Sequence, residues 1–230
     1  MASVASDTQP AQLPAYALFA ALLAAAGLPI YIHAPKFFVD EYGVSLSALG
    51  MVLFGLRSLD VIQDPLLGRL AEALRNHRSL AVATGSAVMA ISMFALFAMT
   101  PSLPPLVWFG LTLTGVFTSF SFLTICFYAQ GVAKAERLPG RGHLALARWR
   151  ETGALLGVCV ASVAPVVLAA IMGKPFTGFA IGFALLALGA TVAMQGEWRT
   201  TDTNRRSGFG AILKDRVARR LLLIAFLNAT

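Results

Sequence analysis

The sequence predicts an all-α integral membrane protein: a bundle of six spanning helices followed by the start of a seventh. Three observations carry this. The chain is 57% hydrophobic and only 13% charged, about half the charged share of a soluble domain, and its mean hydropathy is +0.74. Its apolar residues fall into six blocks, each long enough to cross a hydrocarbon core about 30 Å thick, which takes about 20 helical residues. Finally, lysine and arginine are sorted between alternate connectors, as loop charges are on the two sides of a bilayer.

The elements follow in order. Residues 1–14 lack the basic stretch that opens a signal peptide, so the apolar run after them is expected to be retained as the first span, over residues 15–39. A polar turn over residues 40–45 leads to the second span, 46–68, and a basic connector, 69–78, to the third, 79–100. The Pro-rich segment 101–105 precedes the fourth span, 106–133; a second basic connector, 134–148, leads into the fifth, 147–172. Gly173-Lys174-Pro175 separates the fifth from the sixth, 176–196. The bundle is thus expected over residues 15–198, divisible into two three-helix repeats. A basic cytoplasmic linker, 199–220, comes next; within it residues 208–219 read either as an amphipathic helix on the membrane surface or as a solvated basic segment. Residues 221–230 read as a truncated seventh helix, too short to span. That fragment favours a chain whose partner is a missing C-terminal six-helix half over a dimerising half-protein.

Fourteen of the 18 Lys and Arg residues lie on the long connectors, whereas the side of the short ones holds only Lys174 and Lys36, the latter at the end of the first span. The N-terminus and the long connectors are therefore expected in the cytoplasm, and the protein in the cell (inner) membrane as a multi-pass chain. Its net charge of +7 does not indicate nucleic acid, because the basic residues are scattered among loops without aromatic interleaving or a binding motif. Cys126 and Cys159 each lie inside an apolar block and read as small hydrophobic side chains. His33, His77 and His143 have no ligand spacing, so neither a metal site nor a cofactor is expected. The Asn228-Ala-Thr230 triplet reads as a chance glycosylation match.

Chemistry concentrates in the second span, which reads Gly55-Leu-Arg57-Ser-Leu-Asp60-Val-Ile-Gln-Asp64-Pro65. At about 100° per residue, Arg57, Asp60 and Asp64 fall within a sector of about 60°. An ionisable side chain at mid-membrane costs about 2.5–3.5 kcal/mol on insertion scales and normally faces a cavity or a partner. Pro65 cannot donate to the Val61 carbonyl, so a kink is expected across residues 61–65. Two carboxylates and a loosened carbonyl form an oxygen-rich set suited to Na⁺ or H⁺. The alternative is structural: an Arg57/Asp60 ion pair with Asp64 capping the kink. The fifth span opens with Arg148-Trp149-Arg150-Glu151. Arg150 and Glu151 there either anchor the helix at the cytoplasmic interface or place Arg150 in a central cavity. Gly153 and Gly157 read as a helix-packing face, and Tyr31 and Tyr128 as packing or interface residues.

Two motifs carry a family resemblance. Phe38-Val-Asp40-Glu-Tyr-Gly43-Val-Ser45 leads into the second span, and Arg57-Ser-Leu-Asp60-Val-Ile-Gln-Asp64-Pro65-Leu-Leu-Gly68 continues it, with residues 150–157 matching as well. Over nearly its whole length the chain resembles the glycoside-pentoside-hexuronide:cation symporter group (melibiose permease-like) of the major facilitator superfamily. The resemblance implies an N-terminal six-helix bundle of a major facilitator fold, coupling Na⁺ or H⁺ to movement of a small polar solute, a sugar or related organic molecule. It implies that Thr124 offers a neutral oxygen to a cation near Asp60 and Asp64, that Arg150 points into the substrate cavity beside Arg57, and that Tyr128 packs on the substrate. Two acidic residues of the sugar permeases are missing: the first span reads Ala24-Ala25-Ala26, and Ile125-Cys126-Phe127-Tyr128 follows Thr124. Without those acceptors for sugar hydroxyls, a galactoside is not implied. Two other classes stand beside transport: a non-transporting scaffold or receptor on the same fold, and a membrane-embedded enzyme, for which no nucleophile and base or metal set is found.

Overall fold

Seven α-helices make up the fold in a computed structural model that describes residues 13–136, Leu138 and residues 142–198. They are α1 (Leu13–Ala26), α2 (Leu28–Tyr42), α3 (Leu46–Ala73), α4 (Arg78–Ala98), α5 (Pro105–Ala135), α6 (Gly142–Ile171) and α7 (Pro175–Met194), with a 3₁₀ turn at Arg75–His77. Taken together α1 and α2 form one span, so six helical segments are long and apolar enough to cross a membrane. Most of the N-terminal tail, the basic linker with its amphipathic stretch, and the expected seventh helix lie outside the described residues.

The first span differs from its expected form, because it breaks at Gly27. Gly27 has φ −85° and ψ −110°, outside the helical region, and its amide donates to the Ala24 carbonyl at 3.2 Å. The chain restarts at Leu28 with a proline in the first turn, where its missing N–H does no harm. Hydropathy is blind to this, since Gly-Leu-Pro is as apolar as its neighbours; the glycine–proline spacing was the available signal. At its other end α2 closes on Gly43, at φ 65° and ψ 21°. The Gly43 amide donates to the Val39 carbonyl at 3.1 Å, and that of Val44 to Phe38 at 3.3 Å, a left-handed cap that suits glycine.

The Ser45 hydroxyl then caps α3, accepting from the Ala48 amide at 3.3 Å. The helix runs unbroken past Pro65 to Ala73, beyond the expected end at residue 68, because the good helix formers Leu70, Ala71, Glu72 and Ala73 carry it on. Pro65, around which a kink is expected, lies inside this continuous helix. Prolines are tolerated inside spanning helices where neighbouring groups take over the freed main-chain partners.

Packing is tightest between α1 and α6. A Cβ on Gly153 would fall into the Ala17 carbonyl, and one on Gly157 into Ala21, so glycine at both positions lets the two backbones meet. One end of the bundle is an aromatic cluster: Phe97 stacks on Phe176 at 5.4 Å, Phe37 meets both, and Phe38 packs edge-on against Phe109 at 5.0 Å. The opposite end is polar and buried. Lys134 Nζ lies 2.8 Å from Glu197 Oε2, whose side chain is 8% exposed. The Tyr16 hydroxyl donates to the same oxygen at 3.4 Å, Gln130 Nε2 donates to the Glu197 carbonyl, and Arg78 donates to Gln130 Oε1 at 3.2 Å. Beside them Trp198 is buried edge-on against Phe19. A buried carboxylate requires such partners, and these tie α1, α4 and α5 to the turn after α7.

Candidate functional site

The inward side of α3 and the middle of α5 enclose a cavity of 680 Å³, lined by Arg57, Asp60 and Asp64, by Phe117, Phe120, Ser121, Thr124 and Ile125, and by Gly27 and Tyr31 beside the first-span break. The three ionisable residues of α3 thus share one face and one cavity, as their spacing predicts.

Their environments differ. Asp60 is largely buried, its side chain 13% exposed, and both of its oxygens are engaged. Arg57 Nη1 lies 3.5 Å from Oδ2, and Gln63 Nε2 donates to Oδ1 at 2.8 Å. Gln63 Oε1 in turn accepts from the Thr118 hydroxyl at 3.1 Å, which ties α3 to α5. Asp64 is exposed to the cavity and has no hydrogen-bond or ion-pair partner among the described residues. On the facing wall the Thr124 hydroxyl oxygen is buried and equally unpartnered there. The Arg57 guanidinium lies 5.4 Å above the Tyr31 ring, and Tyr31 stacks on Phe117 at 5.2 Å, a cation–π arrangement that steadies a long side chain.

An adjoining cavity of 240 Å³ shares Gly27, Phe120 and Thr124 with the first and reaches Tyr128, Arg150 and Glu151. Arg150 lies 4.8 Å over the Tyr128 ring and donates through Nε and Nη2 to Glu151 Oε1, at 3.1 and 2.7 Å. Of the two alternatives for Arg150, the structure puts its side chain on the cavity wall. The six residues singled out from sequence and resemblance therefore line two adjoining cavities: Asp60, Asp64 and Arg57 on one, Tyr128 and Arg150 on the other, and Thr124 on both.

Four contributors were missed. Gln63 lies three residues after Asp60, on the same helical face, so spacing alone was enough to find it. Tyr31, expected as a packing or interface residue, packs on Phe117 and also carries Arg57. Nothing in the sequence joins Thr118 to Gln63, and Ser121 is one of several hydroxyls on α5.

Among the described residues the arrangement offers a recess with one unpaired carboxylate, one held carboxylate and an unpartnered hydroxyl, beside an aromatic pocket bearing a guanidinium. It suits a small cation next to an organic molecule. A helical membrane bundle with charges gathered around adjoining cavities belongs to the class of polytopic transport proteins. Residues 14–230 match the MFS/sugar transport protein family. The chain belongs to that family and is a multi-pass major facilitator transporter. Neither the curated proteins nor the solved structures give a match.

Proposed function

We propose that the chain is the N-terminal six-helix bundle of a cation-coupled secondary transporter of the melibiose permease-like symporter group. It moves a small polar solute, a sugar or related organic molecule, together with Na⁺ or H⁺. Asp60, Asp64 and Thr124 bind the coupling ion, while Arg57, Tyr128 and Arg150 line the substrate cavity. The observation that carries this is the meeting of Asp60, Asp64 and Thr124 around one cavity, where the carboxylate of Asp64 and the hydroxyl of Thr124 have no partner among the described residues. An ionisable side chain inside a span normally faces a cavity or a partner, and Asp64 faces the cavity. Alternating access about a midplane site requires an opposing six-helix bundle, which completes the cavity.

The test is uptake by the full-length transporter in proteoliposomes, using labelled monosaccharides, glycosides and hexuronates under an inward Na⁺ gradient, an inward proton gradient, or neither. Accumulation above equilibrium is expected under one gradient only. Equal uptake of every solute under all three conditions would refute ion coupling.

Orientation follows from the loop charges. Cysteine in place of Lys36 or Lys174 should react with a membrane-impermeant maleimide in intact cells, and cysteine in place of Arg75 only after the cells are opened. Labelling at position 75 in intact cells would invert the topology.

A further inference from the structure

We propose that Glu151 is the acceptor that reads the solute, and that with Arg150 it selects a neutral polyol carrying adjacent hydroxyl groups. This rests on the transport reading above and deepens it, naming a specificity-determining residue on α6 and the chemistry it recognises.

Glu151 and Arg150 line the same 240 Å³ cavity. In its strongest form an arginine–carboxylate pair is a fork, two nitrogens on two oxygens. Here Arg150 Nε and Nη2 converge on one oxygen, Glu151 Oε1, and Oε2 has no partner among the described residues. The Glu151 side chain is 61% exposed, so that second oxygen is open to a molecule in the cavity. Arg150 is steadied from its other side by the Tyr128 ring beneath its guanidinium, and its Nη1 is unengaged among the described residues. A held donor and a free acceptor thus stand side by side.

The rest of the wall is chiefly apolar, with Ala20, Leu23, Ala24, Phe120, Ala154 and Val158, and no second carboxylate lines it. Thr124 adds one buried hydroxyl, unpartnered among the described residues. A pocket of this kind draws its selectivity from its few polar groups. A hydroxyl both donates and accepts, so two neighbouring hydroxyls satisfy Glu151 Oε2 and Arg150 Nη1 together. An ammonium, which only donates, or a carboxylate, which only accepts, satisfies one of the two. The charges of Arg150 and Glu151 cancel, so a neutral solute leaves none of them unbalanced.

The experiment is thermal unfolding of the purified full-length transporter at fixed pH and NaCl, since a ligand of the native state raises Tm with occupancy. The probes are glucose, galactose, xylose and mannitol, the monodeoxy analogues of each, and cyclohexylamine and cyclohexanecarboxylate as rings without hydroxyls. At least one polyol should stabilise wild type saturably, and loss of one particular hydroxyl should raise its half-saturating concentration at least about tenfold. Glu151→Ala should weaken the parent polyol by a similar factor and bind that deoxy analogue as wild type does; Glu151→Gln, which keeps an acceptor without the charge, should fall between. If Glu151→Ala weakens parent and every analogue equally, Glu151 only positions Arg150 and the proposal falls. It falls too if the Glu151 variants bind all probes as wild type does, or if cyclohexylamine stabilises wild type and no polyol does. Ion coupling is read separately, by uptake into vesicles. Gradient-driven uptake of a solute that the Glu151 variants bind normally would leave the transport reading standing alone. A polyol that binds through Glu151 but accumulates under no gradient would leave the Glu151 assignment standing and refute ion coupling.

Discussion

Asp64→Asn in the full-length transporter is expected to abolish ion-driven accumulation of solute while leaving solute exchange down its own gradient. Asp64 is the cavity carboxylate with no partner among the described residues, so replacing it removes the charge that balances a bound cation and disturbs no packed contact. Coupling between two ligands is reciprocal and typically amounts to about 1–3 kcal/mol, or about 5–150-fold in affinity. The ion's enhancement of solute affinity should shrink from that range to none. Asp60→Asn should also lose coupling, but with a structural cost that Asp64→Asn lacks, because Arg57 loses its ion pair and the Gln63 link to Thr118 loses its anchor. Arg75→Gln, on the α3–α4 connector, is the control: its partner is Glu72, 3.8 Å away at the end of α3, and the ion dependence should be unchanged. Solute affinity measured with and without the coupling ion, in all four proteins, decides. Wild-type coupling in both Asp variants would make α3 structural and the proposed mechanism wrong.

Gly153→Ala is expected to destabilise the bundle by about 2–3 kcal/mol, the upper part of the usual overpacking range. The added methyl meets the Ala17 carbonyl, main chain that cannot rotate aside, so α1 and α6 must separate along the seam where Gly157 repeats the same contact against Ala21. The sign opposes helix propensity, since alanine replaces glycine in a helix interior with a gain of about 0.5–1 kcal/mol when nothing else changes. Gly182→Ala in α7 isolates that gain, because nothing lies within 4 Å of a Cβ there. Detergent-solubilised Gly182→Ala should unfold at or above the wild-type temperature and Gly153→Ala well below it. Equal behaviour of the two variants would show that the α1–α6 approach is looser than the structure has it.

The spans were legible because their signals are local. Apolar length, polar or Pro-rich turns and loop charges are written in consecutive residues, and lipid enforces them wherever the helices pack. The shared face of Arg57, Asp60 and Asp64 was legible for the same reason, as helical spacing turns sequence separation into angle. Local chemistry also misled. Gly27 and Pro29 sit inside an apolar run that predicts one continuous span, and the span breaks there.

What the sequence determined by itself is therefore the class of molecule, the number of its spans, and which side of one helix bears its charges. Only the tertiary structure decided what those charges face. Thr118 reaches Gln63 across 55 positions, Tyr16 reaches Glu197 across 181, and Thr124 joins Asp60, Asp64 and Arg150 only because α5 is packed between α3 and α6. Hydrophobicity commits a helix to the membrane without saying which neighbour it will meet, since lipid tails are as apolar as any partner. The partner is chosen by close fit, such as that of Gly153 against Ala17, and by pairing of buried polar groups; both are properties of two surfaces at once, which no single stretch of sequence contains.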